Sequence, residues 1–203
     1  MQEINPADYI LVRDKDSNLY LTKQRILQEH NWEGQIRKLA KRKGYMSLIS
    51  DFFDLKDLLD SRKRVYDGKG SLISPNGKKQ FLDELCGLRN PWRAEYFGNR
   101  FFKYNDKWYM DSNFRVINGE ITHLSRKEIN PIMKDGWTSF KYFDEDGLVT
   151  KLKGHEIFVG QPMNNAVAGL GAGSDWAFLV CDWGPRGSGP AFGVREVREN
   201  FEI

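Results

Sequence analysis

Asn164–Arg198 reads NNAVAGLGAGSDWAFLVCDWGPRGSGPAFGVREVR, and two patterns are laid over one another in it. From Trp176 to Asp182 the residues alternate with the two-residue period of a strand. Ala177, Leu179 and Cys181 are small or apolar and suit a core, while Trp176, Phe178, Val180 and Asp182 fall on the opposite side. That side is odd. Rings, a β-branched residue and a carboxylate together suit neither a solvent face nor a core. The second pattern is glycine, at 169, 171, 173, 184, 187, 189 and 193. Gly169, Gly171 and Gly173 also alternate, and glycine weakens a strand. One face has been emptied of side chains while the other was kept. GLGAG contains a GxGxG pattern, but strand-like WAFLVCDW follows it where a phosphate loop needs a helix, so nucleotide binding is not expected.

Upstream, the same period of two continues. Tyr96–Tyr104 and Lys107–Met110 flank Asn105-Asp106; Phe114–Ile117 and Glu120–Leu124 flank Asn118-Gly119, the strongest short hairpin signal. Trp137–Phe143 and Leu148–Leu152 flank Asp144–Gly147 and predict another hairpin. Further upstream the period becomes helical. Trp32, Ile36, Leu39 and Ala40 recur at helical spacing, and Gly44 follows as a stop. Phe52, Phe53, Leu55, Leu58 and Leu59 give Ser50–Arg64 an apolar face, with Ser50 or Asp51 as a cap. Gly77–Leu88 predicts a third helix, ended by Asn90-Pro91. Val65–Gly77, rich in Gly, reads as a boundary or turn. Helices first and antiparallel strands after give an α+β class.

Composition narrows the function. The chain has 203 residues, enough for one large domain or one with a small appendage. A formal charge of +3 is too mild to demand nucleic acid, and the basic run Arg37–Lys43 reads as a solvated helix face. No apolar run reaches the ~20 residues of a membrane helix, and the first residues lack the pattern of a secretory leader. Neither membrane insertion nor nucleic-acid binding is expected, and no cell location is assigned. Cys86 and Cys181 are the only cysteines, too few for a disulfide framework and outside any CxxC spacing. His30, His123 and His155 are scattered. No cofactor and no metal site is expected. Aromatics reach 13%, with six Trp; Trp92, Tyr96, Phe97, Trp108 and Trp137 are expected to be scaffold residues.

The pattern NxVAxxxAxSxxAxLxCxxxPxxSxxxxGVRxVR resembles the C-terminal variable region of proteins diversified by diversity-generating retroelements. It is carried by Val167, Ala168, Ala172, Ser174, Ala177, Leu179, Cys181, Pro185, Ser188 and Gly193-Val194-Arg195. VYDG at Val65–Gly68 and PWRAEYF at Pro91–Phe97 are similar to the start of the same domain. The resemblance implies a C-type-lectin-like ligand-binding domain over residues 65–203, preceded by a small helical region over 1–64. It also implies a source for the odd residues. Adenine randomisation of asparagine codons gives a restricted set that includes Gly, Asp, Val, Phe, Ser and Arg, and arginine codons can become Trp or Gly. The implied ligand-binding positions are Gly169, Gly171, Gly173, Asp175, Trp176, Phe178, Val180, Asp182, Trp183, Gly184, Arg186, Gly187 and Gly189.

On this resemblance the protein is a non-enzymatic binder of a protein or other macromolecular ligand. Trp176, Phe178 and Trp183 would supply binding area, Asp175 and Asp182 charge preference, and the glycines open hollows. Two rivals stand beside it. A calcium-dependent sugar lectin is suggested by Gln161-Pro162, but Met163 replaces the Asp such a motif needs. A formylglycine-generating type of enzyme needs a reactive cysteine pair, whereas Cys86 and Cys181 fall in an apparent helix and strand core.

Overall fold

The computed structural model describes residues 4–13, 18–88, 92–199 and 201. Asn90-Pro91, expected to end the third helix, and Pro91 of the PWRAEYF match lie outside the described residues. The strands are β1 (Tyr9–Arg13), β2 (Leu19–Thr22), β3 (Tyr45–Met46), β4 (Arg93–Tyr104), β5 (Lys107–Ile117), β6 (Glu120–Ile129), β7 (Gly136–Thr138), β8 (Ile157–Val159), β9 (Ala166–Ala172), β10 (Ala177–Trp183), β11 (Phe192–Val194) and β12 (Glu196–Arg198). The helices are α1 (Trp32–Lys41), α2 (Ile49–Asp60) and α3 (Pro75–Cys86). One sheet runs β1-β2-β12-β3; the other runs β6-β5-β4-β9-β10-β8-β7, with β11 beside β4. The class is α+β with mostly antiparallel pairing, as expected.

The hairpin signals are realised. Asn105 and Asp106 both adopt positive φ between β4 and β5, and Asn118 and Gly119 do so between β5 and β6, as tight primed turns require. The two apolar runs at 107–110 and 114–117 are one strand, interrupted at Asn113 with φ 60°. The third hairpin differs. Asp144–Gly147 does turn, closed by Gly147 N–H donating to Asp144 O at 3.0 Å, but only Phe143 and Val149 bridge across it. Trp137 pairs instead with Phe158, on β8.

Each helix has a local cause. Asn31 caps α1 by accepting from Gly34 N–H at 2.8 Å. Gly44 does more than stop that helix: a Cβ there would lie 2.2 Å from the carboxylate of Glu196. The start of α2 is Leu48, not Ser50 or Asp51. Asp51 accepts from Leu48 N–H at 2.8 Å, and Asn99 of β4 accepts from Ile49 N–H at 2.9 Å. α3 begins two residues before Gly77, because Ser74 caps it and Pro75 suits the first helical position.

The N-terminal region expected to be helical also carries β1, β2 and β3, and the chain's last strand sits between β2 and β3. Ile10, Leu19 and Leu21 share one core cluster with Phe97, Leu170 and Leu179, so no boundary at residue 64 divides the packing. Buried charges fasten this junction. Glu196 is fully buried and accepts from Tyr9 Oη at 2.9 Å and Arg42 Nε at 3.0 Å; Arg198 completes the group. Arg195 pairs with Glu95 at 3.1 Å and donates to Thr22 O and Lys23 O. Removing one member of such a group strands the others, typically at ~3–5 kcal/mol.

The eight-stranded sheet has two faces. Ala168, Leu170, Leu179 and Cys181 face a core closed by α2 and α3. On the other face α1 covers Tyr96, Phe114 and Val167 through Trp32, Ile36 and Leu39. Among the described residues no helix packs on the rest of that face, built from β10, β8, β7 and the Gly169–Gly171 part of β9, and the candidate site lies there.

Candidate binding face

The alternation in β10 does separate two surfaces. Ala177, Leu179 and Cys181 are buried, while Phe178 and Val180 are half-exposed. Phe178 stands opposite Gly171 and Val180 opposite Gly169 on β9. Strict alternation would send Trp183 to the core side with Cys181. A register shift between Val180 and Trp183 inserts a residue, so Trp183 stands opposite Val167 and rejoins the open face. Asp182 sits within that bulge and is exposed.

Gly169 and Gly171 do not leave hollows. A Cβ at Gly169 would lie 2.0 Å from the Trp183 ring, and one at Gly171 would lie 2.2 Å from the Phe178 ring. The glycines leave free the space over β9 that the two rings fill. Gly173 and Gly184 do face open space, and Gly189 nearly so. Trp183 is half-buried, with its ring edge-on to Tyr96 at 5.6 Å, to Phe192 at 5.2 Å and to Phe178 at 6.3 Å. Trp176 is different. It is 49% exposed at the tip of the β9–β10 hairpin, beside Trp137 at 6.4 Å. Asp175 is exposed at the same tip, where its carboxylate accepts from Ser174 Oγ.

The loop after β10 is held by its backbone. Trp32 N–H donates to Pro185 O and Glu29 N–H to Gly189 O, each at 3.2 Å. The Tyr96 hydroxyl donates to Gly187 O at 3.0 Å, and Gly187 has no room for a side chain, since a Cβ would lie 2.8 Å from Tyr96 Oη. Burial raises the Tyr96 hydroxyl to about 12, so it stays a donor at neutral pH. Arg186 and Gly184 point into solvent. All thirteen positions singled out in the sequence therefore fall on β9, β10, their connecting turn and the following loop, with Gly169 and Gly171 buried beneath their neighbours.

Other residues extend this face. Trp92 and Trp137, expected in the scaffold core, are 45% and 36% exposed. Tyr96 and Phe97 are buried as expected, and Trp108 packs against the main core. Trp92 meets Phe192 at 5.7 Å, and Trp137 meets Phe158 at 5.8 Å. Phe158 and Phe192 carried no signal in sequence, because each sits in a three-residue strand too short to show a period. Asp135 accepts from Gln161 N–H at 2.7 Å beside β8. Burial, and secondarily the charge of Asp135, raises the Asp182 carboxyl above its ordinary range.

The groups invoked by the rival chemistries are otherwise engaged. Burial pushes the Cys86 thiol up to about 11 and raises Cys181 further, the reverse of what a reactive thiolate needs. Asn164 accepts from Lys103 N–H at 2.8 Å, and Asn165 takes a turn conformation with φ 61°. Among the described residues no three His, Cys, Asp or Glu side chains converge as a metal-binding group, and no helix is long and apolar enough to cross a membrane. Comparison with known proteins finds no family model, no curated protein and no solved structure that matches this chain.

Proposed function

We propose that this chain is a non-catalytic binding protein that displays a hypervariable surface, diversified by a retroelement, on a C-type-lectin-like framework. Its ligand is a protein or another macromolecule. One observation carries the reading: β10 sends Ala177, Leu179 and Cys181 into the core while the residues between them stand on a sheet face that no helix covers. Substitution at the exposed positions of that face is cheap, typically within ~0.5 kcal/mol, whereas truncating a buried core side chain such as Leu179 costs ~2–5 kcal/mol. The exposed rings form an open patch rather than a deep cleft, which suits a macromolecular surface better than a small molecule. Such rings bring large, rigid contact area at low entropic cost.

Sequencing sibling copies from the same locus tests the proposal. Differences confined to the thirteen positions are expected, together with a near-identical template carrying adenines at their codons. Differences spread equally over Ala177, Leu179 and Cys181 would overturn it.

A further inference from the structure

The end of the open face nearest β7 combines rings and carboxylates. Trp137 pairs with Phe158, and Phe158 stands beside Phe178, so three rings follow one another across β7, β8 and β10. One step along the same strands, Gly160 leaves room beside Val180, whose methyl would lie 3.4 Å from a Cβ there. Asp135, held by Gln161 N–H at 2.7 Å, and Asp182, in the β10 bulge, flank that step, and the charge of Asp135 adds to the rise of the Asp182 carboxyl. Among the described residues neither has a cationic partner. Two carboxylates at one end of the face, with no cation beside them and exposed rings next to them, are complementary to one kind of group.

We propose that this end of the face receives an arginine or lysine side chain of the protein ligand, the rings of Trp137 and Phe178 taking its stem and the carboxylates of Asp135 and Asp182 its charge. This rests on reading the face as a binding surface. Arginine fits best, because its planar guanidinium can stack on a ring and bridge carboxylate oxygens at once. The chain as a whole is cationic, at +3, so attraction of a basic group must come from a local site such as this one. Asp182 belongs to the proposed variable set, but Asp135, Trp137 and Phe158 do not. Half of the receptor is therefore constant, and a preference for basic ligands should persist in weakened form when residue 182 changes.

A random peptide phage library panned on the full chain tests this, with binders counted only if Trp176→Ala weakens them. Enrichment of Arg or Lys at one peptide position is expected. Affinity for those peptides should fall about tenfold in Asp135→Asn/Asp182→Asn, with loss of most of its salt dependence, while the melting temperature does not fall. Face-directed binders without a basic residue, or basic binders indifferent to the double substitution, overturn the inference and leave the proposed function standing. Failure to recover any peptide sensitive to Trp176→Ala overturns both.

Discussion

Gly169→Ala is the sharpest perturbation of the open face. The added methyl carbon would lie 2.0 Å from Cε3 and Cζ3 of Trp183, where contact between carbons begins near ~3.5 Å. The ring must retreat by about 1.5 Å. It has nowhere to go within the face, since Tyr96 and Phe192 already meet it at 5.6 and 5.2 Å. If it stays, overpacking costs roughly 1–3 kcal/mol. If it swings out, it forfeits part of the ~1.5–3 kcal/mol of a buried large side chain, a part because Trp183 is only half-buried. Against either loss, replacing a strand glycine by alanine gains ~0.5–1 kcal/mol. A net loss of about 1–2 kcal/mol is expected, which for a chain of this length lowers the melting temperature by several degrees. In the Trp183→Ala background the obstacle is gone, and Gly169→Ala should stabilise by the ~0.5–1 kcal/mol of the backbone gain alone. Urea unfolding of the four proteins of this cycle should give a coupling near 2 kcal/mol, within the range for residues in contact. Equal effects of Gly169→Ala in both backgrounds would refute the claim that this glycine exists to seat a ring.

Two further outcomes are expected. Tyr96→Phe removes the donor to Gly187 O and should cost ~0.5–1.5 kcal/mol, with faster amide exchange across Gly184–Gly189; unchanged exchange there would show that the loop is held without it. Asp182→Asn should stabilise slightly near neutral pH, by no more than ~0.5 kcal/mol for so exposed a group. Its carboxyl is raised in the native state, so ionisation costs stability above the native value and nothing below the unfolded value of about 3.9. Thermal melts should therefore converge with those of the parent protein as pH falls below that range.

Local signals were the legible part of this sequence. Asn105-Asp106 and Asn118-Gly119 define their turns through backbone preference alone, and the alternation of Ala177, Leu179 and Cys181 marks the buried side of β10. What could not be read depends on partners far along the chain. Leu19–Thr22 looks like an unremarkable polar-apolar segment until β12 lies beside it, and Arg195 looks solvent-bound until Glu95 and the Thr22 carbonyl meet it. For Trp92 and Trp137 the sequence alone favours the core, because buried tryptophan is the commoner case. Both instead lie exposed at margins of the open face, Trp92 just before β4 and Trp137 within the three-residue β7. The bulge at Asp182 was equally hidden. Nothing in CDW announces an extra residue, yet it decides on which side Trp183 emerges.

Nine of the thirteen positions fall into two physical kinds, which bears on how a face of this sort tolerates change. At 184, 186 and 189 the loop is held through backbone atoms, by Trp32 N–H on Pro185 O and Glu29 N–H on Gly189 O, and the side chains take no part in those bonds. Substitution there leaves the anchors intact. Trp176 and Asp175, at the hairpin tip, are free for a related reason: the turn closes through Gly173 N–H donating to Trp176 O. Positions 169 with 183, and 171 with 178, are not free of one another. Each glycine is the only residue small enough to lie under its ring, and each ring reaches over β9 because nothing rises from the strand there. A side chain at 169 or 171 would lift the ring into solvent and change the shape of the whole face. The diversity available to such a surface is thus smaller than the product of its positions. Part of it consists of paired states, one with a bare β9 and rings laid over it, the other with a filled β9 and small or outward-turned residues on β10. The backbone that carries both is fixed by the buried Arg195–Glu95 and Glu196 groups just beyond the loop, which no change on the open face touches.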